Sequence, residues 1–256
     1  MDAWSTLRQF TQARIAQGRA GCGMTTAALL EFQLAHAAAR DAVLAEWDAR
    51  YCEETLRQAG LPTLRLETQA ASRTEYLLRP DHGRSLSPIS RERLTGQGDS
   101  TADVALILTN GLSSTAVVEH GVNLVLAITA VLSEQGLSWG SICLVPNGRV
   151  ALSDEIGALL GARLAVIIVG ERPGLSAADS LGLYLTHAPG SGRTDAERNC
   201  LSNIRPPQGL SYQAAARKLG YLARKALAAG YSGVSLKDDM PDDGLPEIPP
   251  SGLLKP

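Results

Sequence analysis

The hydrophobic positions of this chain fall into short dense runs separated by longer periodic stretches. Leu164 to Val169 is a continuous apolar run rich in β-branched residues, the pattern of a strand buried on both faces of a parallel sheet. It stops at Gly170, a carboxylate follows at Glu171, and Pro173-Gly174 has the chemistry of a tight turn. Asp103 to Thr109 predicts a second buried strand and Ser141 to Val145 a third. Leu64 to Thr68 alternates, as a short edge strand does, and Ser180 to Leu185 predicts a fourth buried strand.

Between these runs the spacing changes to that of helices. Leu7, Phe10, Arg14 and Ile15 predict a first helix over residues 3–17, interrupted by Gly18, Gly21 and Gly23. Thr25 or Thr26 caps a longer helix through Trp47, with an apolar stripe of Leu30, Leu34, Ala37, Val43, Leu44 and Trp47. Residues 50–59 continue helically to Gly60, and His36 reads as a residue on a helix face. Residues 79–98 are polar and broken by Pro80, Gly83, Pro88 and Gly96. They predict a long surface connection packed against some other surface. Asn110-Gly-Leu-Ser-Ser114 leads into a helix from Thr115 to about Gln135, an arrangement that offers backbone N–H groups to an anion. Pro146-Asn147-Gly148 is a turn, Arg149 to Leu152 reads as extended, and Ser153 caps a short helix ended by Gly161. Thr194 to Glu197 has capping-box spacing and predicts a short helix near Asp195 that carries Arg198 and Cys200. Ser211 caps a last amphipathic helix, Tyr212 to Ala229, stopped by Gly230.

The chain is therefore expected to be α/β, with a mostly parallel sheet flanked by helices. Residues 1–60 form an N-terminal helical arm, 61–235 the sheet domain, and 236–256 a disordered tail rich in Pro and acidic residues. Three buried strands end alike, at Asn110-Gly111, Asn147-Gly148 and Gly170-Glu171, and parallel pairing brings those ends to one edge. The edge is where open α/β sheets bind ligands, so a broad polar rim is expected there. Solvated loop charges at Glu171 and Arg172 are the plainer alternative.

Composition narrows the classes. With 24 Lys+Arg against 26 Asp+Glu in 256 residues and no basic block, a nucleic-acid partner is not indicated. No apolar run reads as a membrane span, and the N-terminus lacks a signal pattern. Cys22, Cys52, Cys143 and Cys200 show no close pairing, which suits a reduced, cytosolic setting. The fingerprint G-x-G-x-x-G is absent after the strand at 103–109, against a standard dinucleotide site.

Several motifs together carry a resemblance. Gly170-Glu-Arg-Pro-Gly-Leu175, Ser180-Leu181, Asp195-Ala-Glu-Arg-Asn-Cys-Leu-Ser-Asn-Ile204, Asn110-Gly-Leu-Ser113, Gly148-Arg-Val-Ala-Leu-Ser-Asp-Glu-Ile156 and Gly18-Arg-Ala-Gly21 closely resemble the small subunit of ethanolamine ammonia-lyase, in order, over residues 5–230. The resemblance implies a Rossmann-like fold and a role beside a TIM-type barrel large subunit, which holds the substrate. It implies adenosylcobalamin as cofactor, with Val150, Glu171 and Cys200 as its contacts by motif, and conversion of ethanolamine to acetaldehyde and ammonia. It also implies a cytoplasmic protein of a kind often packaged in a bacterial microcompartment. Spacing alone gives Val150 as a strand residue and Cys200 as a small buried apolar one. The family's first loop often reads Asp where this chain has Asn110, and its segment between Pro173 and Cys200 varies in length. Asp81-His82-Gly83 lacks the spacing of the Asp-x-His-x-x-Gly cobalt-ligand motif, so no metal ligand is expected from this chain. Two other classes remain for comparison: a nucleotide-dependent oxidoreductase acting alone, which tight NAD binding would reveal, and a non-catalytic assembly module, which would bind a barrel partner without cobalamin dependence.

Overall fold

The computed structural model describes residues 6–95 and 102–241. Six strands form one sheet: β1 (Thr63–Arg65), β2 (Val104–Thr109), β3 (Ile142–Leu144), β4 (Leu164–Gly170), β5 (Leu181–His187) and β6 (Arg198–Ile204). Their spatial order is β1-β3-β2-β4-β5-β6. The first four are parallel, and β5 and β6 add to one edge antiparallel. Every residue of β2 and β4 is buried, as their unbroken apolar sequences require.

Side-chain alternation sorts the core into two layers. Val104, Leu106, Leu108, Leu164, Val166 and Ile168 face one side, against helices α2 (Ala49–Gln58), α5 (Ser114–Glu134) and α7 (Tyr212–Ala229). Ala105, Ile107, Ala165 and Ile167 face the other, against Leu86, Leu94, Leu152 and Ile156 from α4 (Pro88–Thr95), α6 (Leu152–Leu159) and the turn before α4. The sheet is thus covered on both faces, the mixed α/β architecture expected from the strand pattern.

Helix α5 is long and apolar enough to cross a membrane, contrary to the reading of the sequence. Most of it is buried against the sheet and α7, so its hydrophobicity is that of a core helix. Helix α1 (Thr26–Leu44) begins as predicted, with the Thr25 hydroxyl accepting from the Ala28 N–H. It ends three residues before Trp47, where Ala45 turns extended and Asp48 caps α2 by accepting from Arg50 N–H.

The apolar stripe of α1 finds no cover among the described residues. Leu30, Leu34 and Leu44 are 58%, 74% and 56% exposed, and only Ala28 and Ala42 of the helix are buried. The first predicted helix shrinks to a 3-10 turn at Arg8–Phe10, followed by irregular chain with Ala16 at φ +52° and a two-rung hairpin pairing Arg19–Ala20 with Gly23–Met24. Leu7 and Phe10 are exposed, and a short helix with nothing to bury against is not stable.

Three further expectations are corrected. Residues 79–95 are not one loop: α4 packs there through Leu94, preceded by α3 (Arg73–Leu78), whose cap is the Ser72 hydroxyl. Arg149 to Ala151 is not extended but turns into α6, with Ser153 inside the helix donating to the Val150 carbonyl. Cys200 lies on β6, not on a helix. The Thr194 capping box holds only the single 3-10 turn Asp195–Glu197. Strand pairing wins because it buries Arg198 against Asp154, two parallel 2.7 Å bonds, and Thr186. The predicted tail falls largely on residues 242–256, outside the described residues.

Gly111 tests how tightly the strand ends are packed. Its φ is +49°, and a Cβ there would stand 2.2 Å from Val169 Cγ2 and 2.4 Å from the Gly170 carbonyl oxygen. Gly111→Ala should destabilise the protein by about 2–4 kcal/mol in urea unfolding, from left-handed strain plus overpacking. Gly60→Ala, at φ +79° with open space around it, should cost only about 1 kcal/mol. Equal losses in the two variants would show that the strand-end packing is not tight.

Candidate functional site

The carboxyl ends of β2, β3 and β4 meet at one edge, and the loops that leave them are tied to one another. The Asn110 side chain is buried; its amide donates to Ser114 Oγ at 3.0 Å and its oxygen accepts from Asn147 N–H at 2.7 Å. The Ser114 hydroxyl in turn donates to the Ala45 carbonyl at 2.6 Å. Both ends of the amide are therefore used, a task a carboxylate at this position could not perform in the same way. Gly148 N–H donates to Thr109 Oγ1 at 2.8 Å, and Leu112 N–H to the Gly170 carbonyl at 2.9 Å. In the loop after β2, Leu112 N–H is therefore taken by the protein, as is Ala116 N–H by the Ser113 hydroxyl at 3.1 Å.

Arg73, on α3, is the hub of this edge. It is only 6% exposed. Its Nε donates to the Val43 carbonyl at the end of α1, Nη1 to Gly111 at 2.7 Å, and Nη2 to Leu112 at 2.9 Å. Its guanidinium stacks on Tyr76, and that of Arg149 stacks there too, their central carbons 4.9 and 4.2 Å from the ring centre. Burial holds the Arg73 pKa below the usual arginine range, while the carbonyl oxygens around it supply the negative ends of dipoles. Nothing in the periodicity of residues 68–79 marks this arginine; its importance lies in contacts with distant segments.

Beside the hub lies an open cavity of about 460 Å³. Leu112, Val150 and Val169 give it an apolar portion; Tyr76, Arg149, Glu171, Arg172, Tyr184 and Ser202 give it polar edges. Two of the three sequence-derived residues, Val150 and Glu171, thus meet on one surface. Cys200 does not line the cavity. It is exposed on β6 opposite Tyr184, which does, and the atoms packed around its sulfur raise the thiol pKa.

The seat of Glu171 is built by two local features. Gly182 on β5 lacks the Cβ that would stand 3.0 Å from Glu171 Oε1. Opposite it, a bulge inserts Ser202 and Asn203 where the ladder has one partner. The bulge turns Ser202 Oγ onto Oε1 and Asn203 N–H onto Oε2 at 3.2 Å, while Ser180 Oγ donates to Oε2 at 2.7 Å. A carboxylate accepts about four hydrogen bonds. Three are taken, so Glu171 is held rigidly with acceptor capacity left over at the cavity wall.

Residues 1–237 match the model of the ethanolamine ammonia-lyase light chain (EutC) family. The chain belongs to that family. Relatives described as ethanolamine ammonia-lyase small subunits include one from Xanthomonas campestris pv. campestris, 49% identical over 241 residues that cover 93% of this chain and 88% of the relative. Another, from Azotobacter vinelandii, is 50% identical over 241 residues, 93% of this chain and 89% of its own length. A third, from Ralstonia nicotianae, is 49% identical over 93% of this chain and 88% of its own. Family membership places the chain beside a lyase rather than among free-standing nucleotide-dependent oxidoreductases. In this light chain Arg73 is the joint between the exposed helix α1 and the cavity.

Arg73→Met should leave three carbonyls without their donor and cost about 2–4 kcal/mol in denaturant unfolding. Amide hydrogen exchange should accelerate at residues 110–113 and 147–149. An unchanged midpoint with unchanged exchange there would remove Arg73 from its role as the joint.

Proposed function

We propose that this chain is the small subunit of an adenosylcobalamin-dependent ethanolamine ammonia-lyase, holding the cofactor against a large subunit that carries the substrate. The observation that supports this reading best is the fixed carboxylate of Glu171 at the wall of a broad, shallow, partly apolar cavity. Corrin side chains end in amides, which donate hydrogen bonds, and the corrin edge is apolar. A rigid acceptor next to Leu112, Val150 and Val169 fits both. The open form of the cavity suits a large ligand that a second protein covers on its other side.

When bound, adenosylcobalamin supplies the adenosyl radical that starts hydrogen abstraction from the aminoalcohol. The chain's own residues position and enclose. Glu171 accepts from corrin amides through its spare lone pair, held in place by Ser180, Ser202 and Asn203. Val150 packs against the corrin edge, and Cys200, next to Tyr184, extends the contact along β6. The apolar stripe of α1, uncovered among the described residues, gives the large subunit a surface to bury, with Leu30, Leu34 and Leu44 in it. Arg73 ties the end of that helix to the cavity loops, so docking and cofactor binding share one scaffold.

Co-expression with a large subunit of this family should give a complex that releases acetaldehyde from ethanolamine only when adenosylcobalamin is added. In that complex Glu171→Gln should weaken cobalamin binding by roughly tenfold, one charge-assisted hydrogen bond, while the free chain still folds. A complex that turns over without cobalamin would contradict the function. Undiminished cobalamin affinity in Glu171→Gln would contradict the assigned role of that carboxylate.

A further inference from the structure

Near the same sheet edge, outside the residues that line the cavity, three side chains converge that the cofactor reading does not use. Helix α5 opens into a π turn at Val117–Gly121, which places the adjacent Glu119 and His120 toward Asp179 from the loop before β5. The geometry points to a divalent transition-metal site, of the Zn²⁺ class, formed by Glu119 Oε2, His120 Nε2 and Asp179 Oδ2. These three atoms lie within 4.8 Å of one another.

The spacing of the three groups fits a metal ion between them. His120 Nε2 stands 3.4 Å from Asp179 Oδ2 and 3.8 Å from Glu119 Oε2. A charge-assisted N–H···O bond would be about 2.7–2.9 Å. Ligands held 2.0–2.2 Å from a tetrahedral zinc ion stand about 3.3–3.6 Å apart. The His120–Asp179 contact is a hydrogen bond at the long end of its range, and both separations from His120 lie within a few tenths of an ångström of those around a zinc ion.

The outer partners are also those a metal site uses. His120 is 7% exposed, and its Nδ1 is fixed by the Tyr212 hydroxyl at 2.7 Å, which turns Nε2 toward the two carboxylates. Asp179 gives its other oxygen to Arg205 Nε at 2.8 Å, which orients Oδ2 toward His120. Arg205 also reaches Gln12 Oε1, so the site lies beside the N-terminal segment. Two carboxylates and one arginine leave a net charge of −1 before a cation binds. Glu119 is exposed, so the fourth position opens to water.

Zinc itself is the probe, with the full-length chain. Equilibrium dialysis at neutral pH, read by elemental analysis, should find one Zn²⁺ per chain, and Zn²⁺ should raise the thermal midpoint. Glu119→Gln, a change at an exposed position, should keep the metal-free midpoint and weaken zinc binding at least tenfold. His120→Asn should abolish it, and Co²⁺ should give the visible absorption of a tetrahedral site in the unaltered chain alone. Sub-stoichiometric uptake by the unaltered chain would overturn the proposal. Equal uptake by Glu119→Gln and His120→Asn would overturn it too, by placing the metal on the remaining histidines or cysteines.

Discussion

A buried guanidinium holds together the part of this protein that matters for function. From helix α3, Arg73 reaches the end of helix α1 and the Gly111 and Leu112 carbonyls of the loop after β2, joining three segments far apart in sequence. Without it, the desolvated carbonyls of those segments would lack donors, and the edge of the sheet would lose its fixed shape. The Asn110 amide does the same work from within, joining the loop after β2 to the loop after β3 and, through Ser114, to Ala45. Polar bonds at this edge therefore act as structure. What remains for binding is a carboxylate at the cavity wall and apolar side chains.

That division explains why the cavity is shallow. A pocket built to enclose a small ligand would present several free donors and acceptors from all sides. Here the strand ends are knotted tightly, Gly111 and Gly182 allow the close approaches, and the open side is left for something else to close. The uncovered leucines of α1 carry the same implication from another direction: this chain is built to be completed by a partner. The family's small-subunit relatives agree with an incomplete unit.

Strands β2 and β4 were legible from sequence because burial on both faces leaves a short unbroken apolar run rich in β-branched residues. The long capped helices α1 and α7 were legible for the same kind of reason: hydroxyl caps at Thr25 and Ser211 and a left-handed Gly230 are local signals. What local signals cannot carry is tertiary pairing. The chain around Cys200 has a capping box, and the box forms, yet the Arg198–Asp154 pair and the ladder to β5 make the rest a strand. Leu30 and Leu34 have helix-stripe spacing, but spacing does not tell whether the covering surface belongs to the same chain. Glu171 was visible as a strand-end charge. Its three donors, the bulge at Ser202–Asn203 and the Arg73 hub required the fold.

The central claim is that the loops at this sheet edge meet adenosylcobalamin in the assembled enzyme. Hydrogen–deuterium exchange on the complex with the large subunit, with and without the coenzyme, tests it most directly. Added coenzyme should protect amides at residues 111–112, 149–151, 170–172 and 200–203 of this chain. Protection confined to the large subunit, with those four segments exchanging at unchanged rates, would contradict the account.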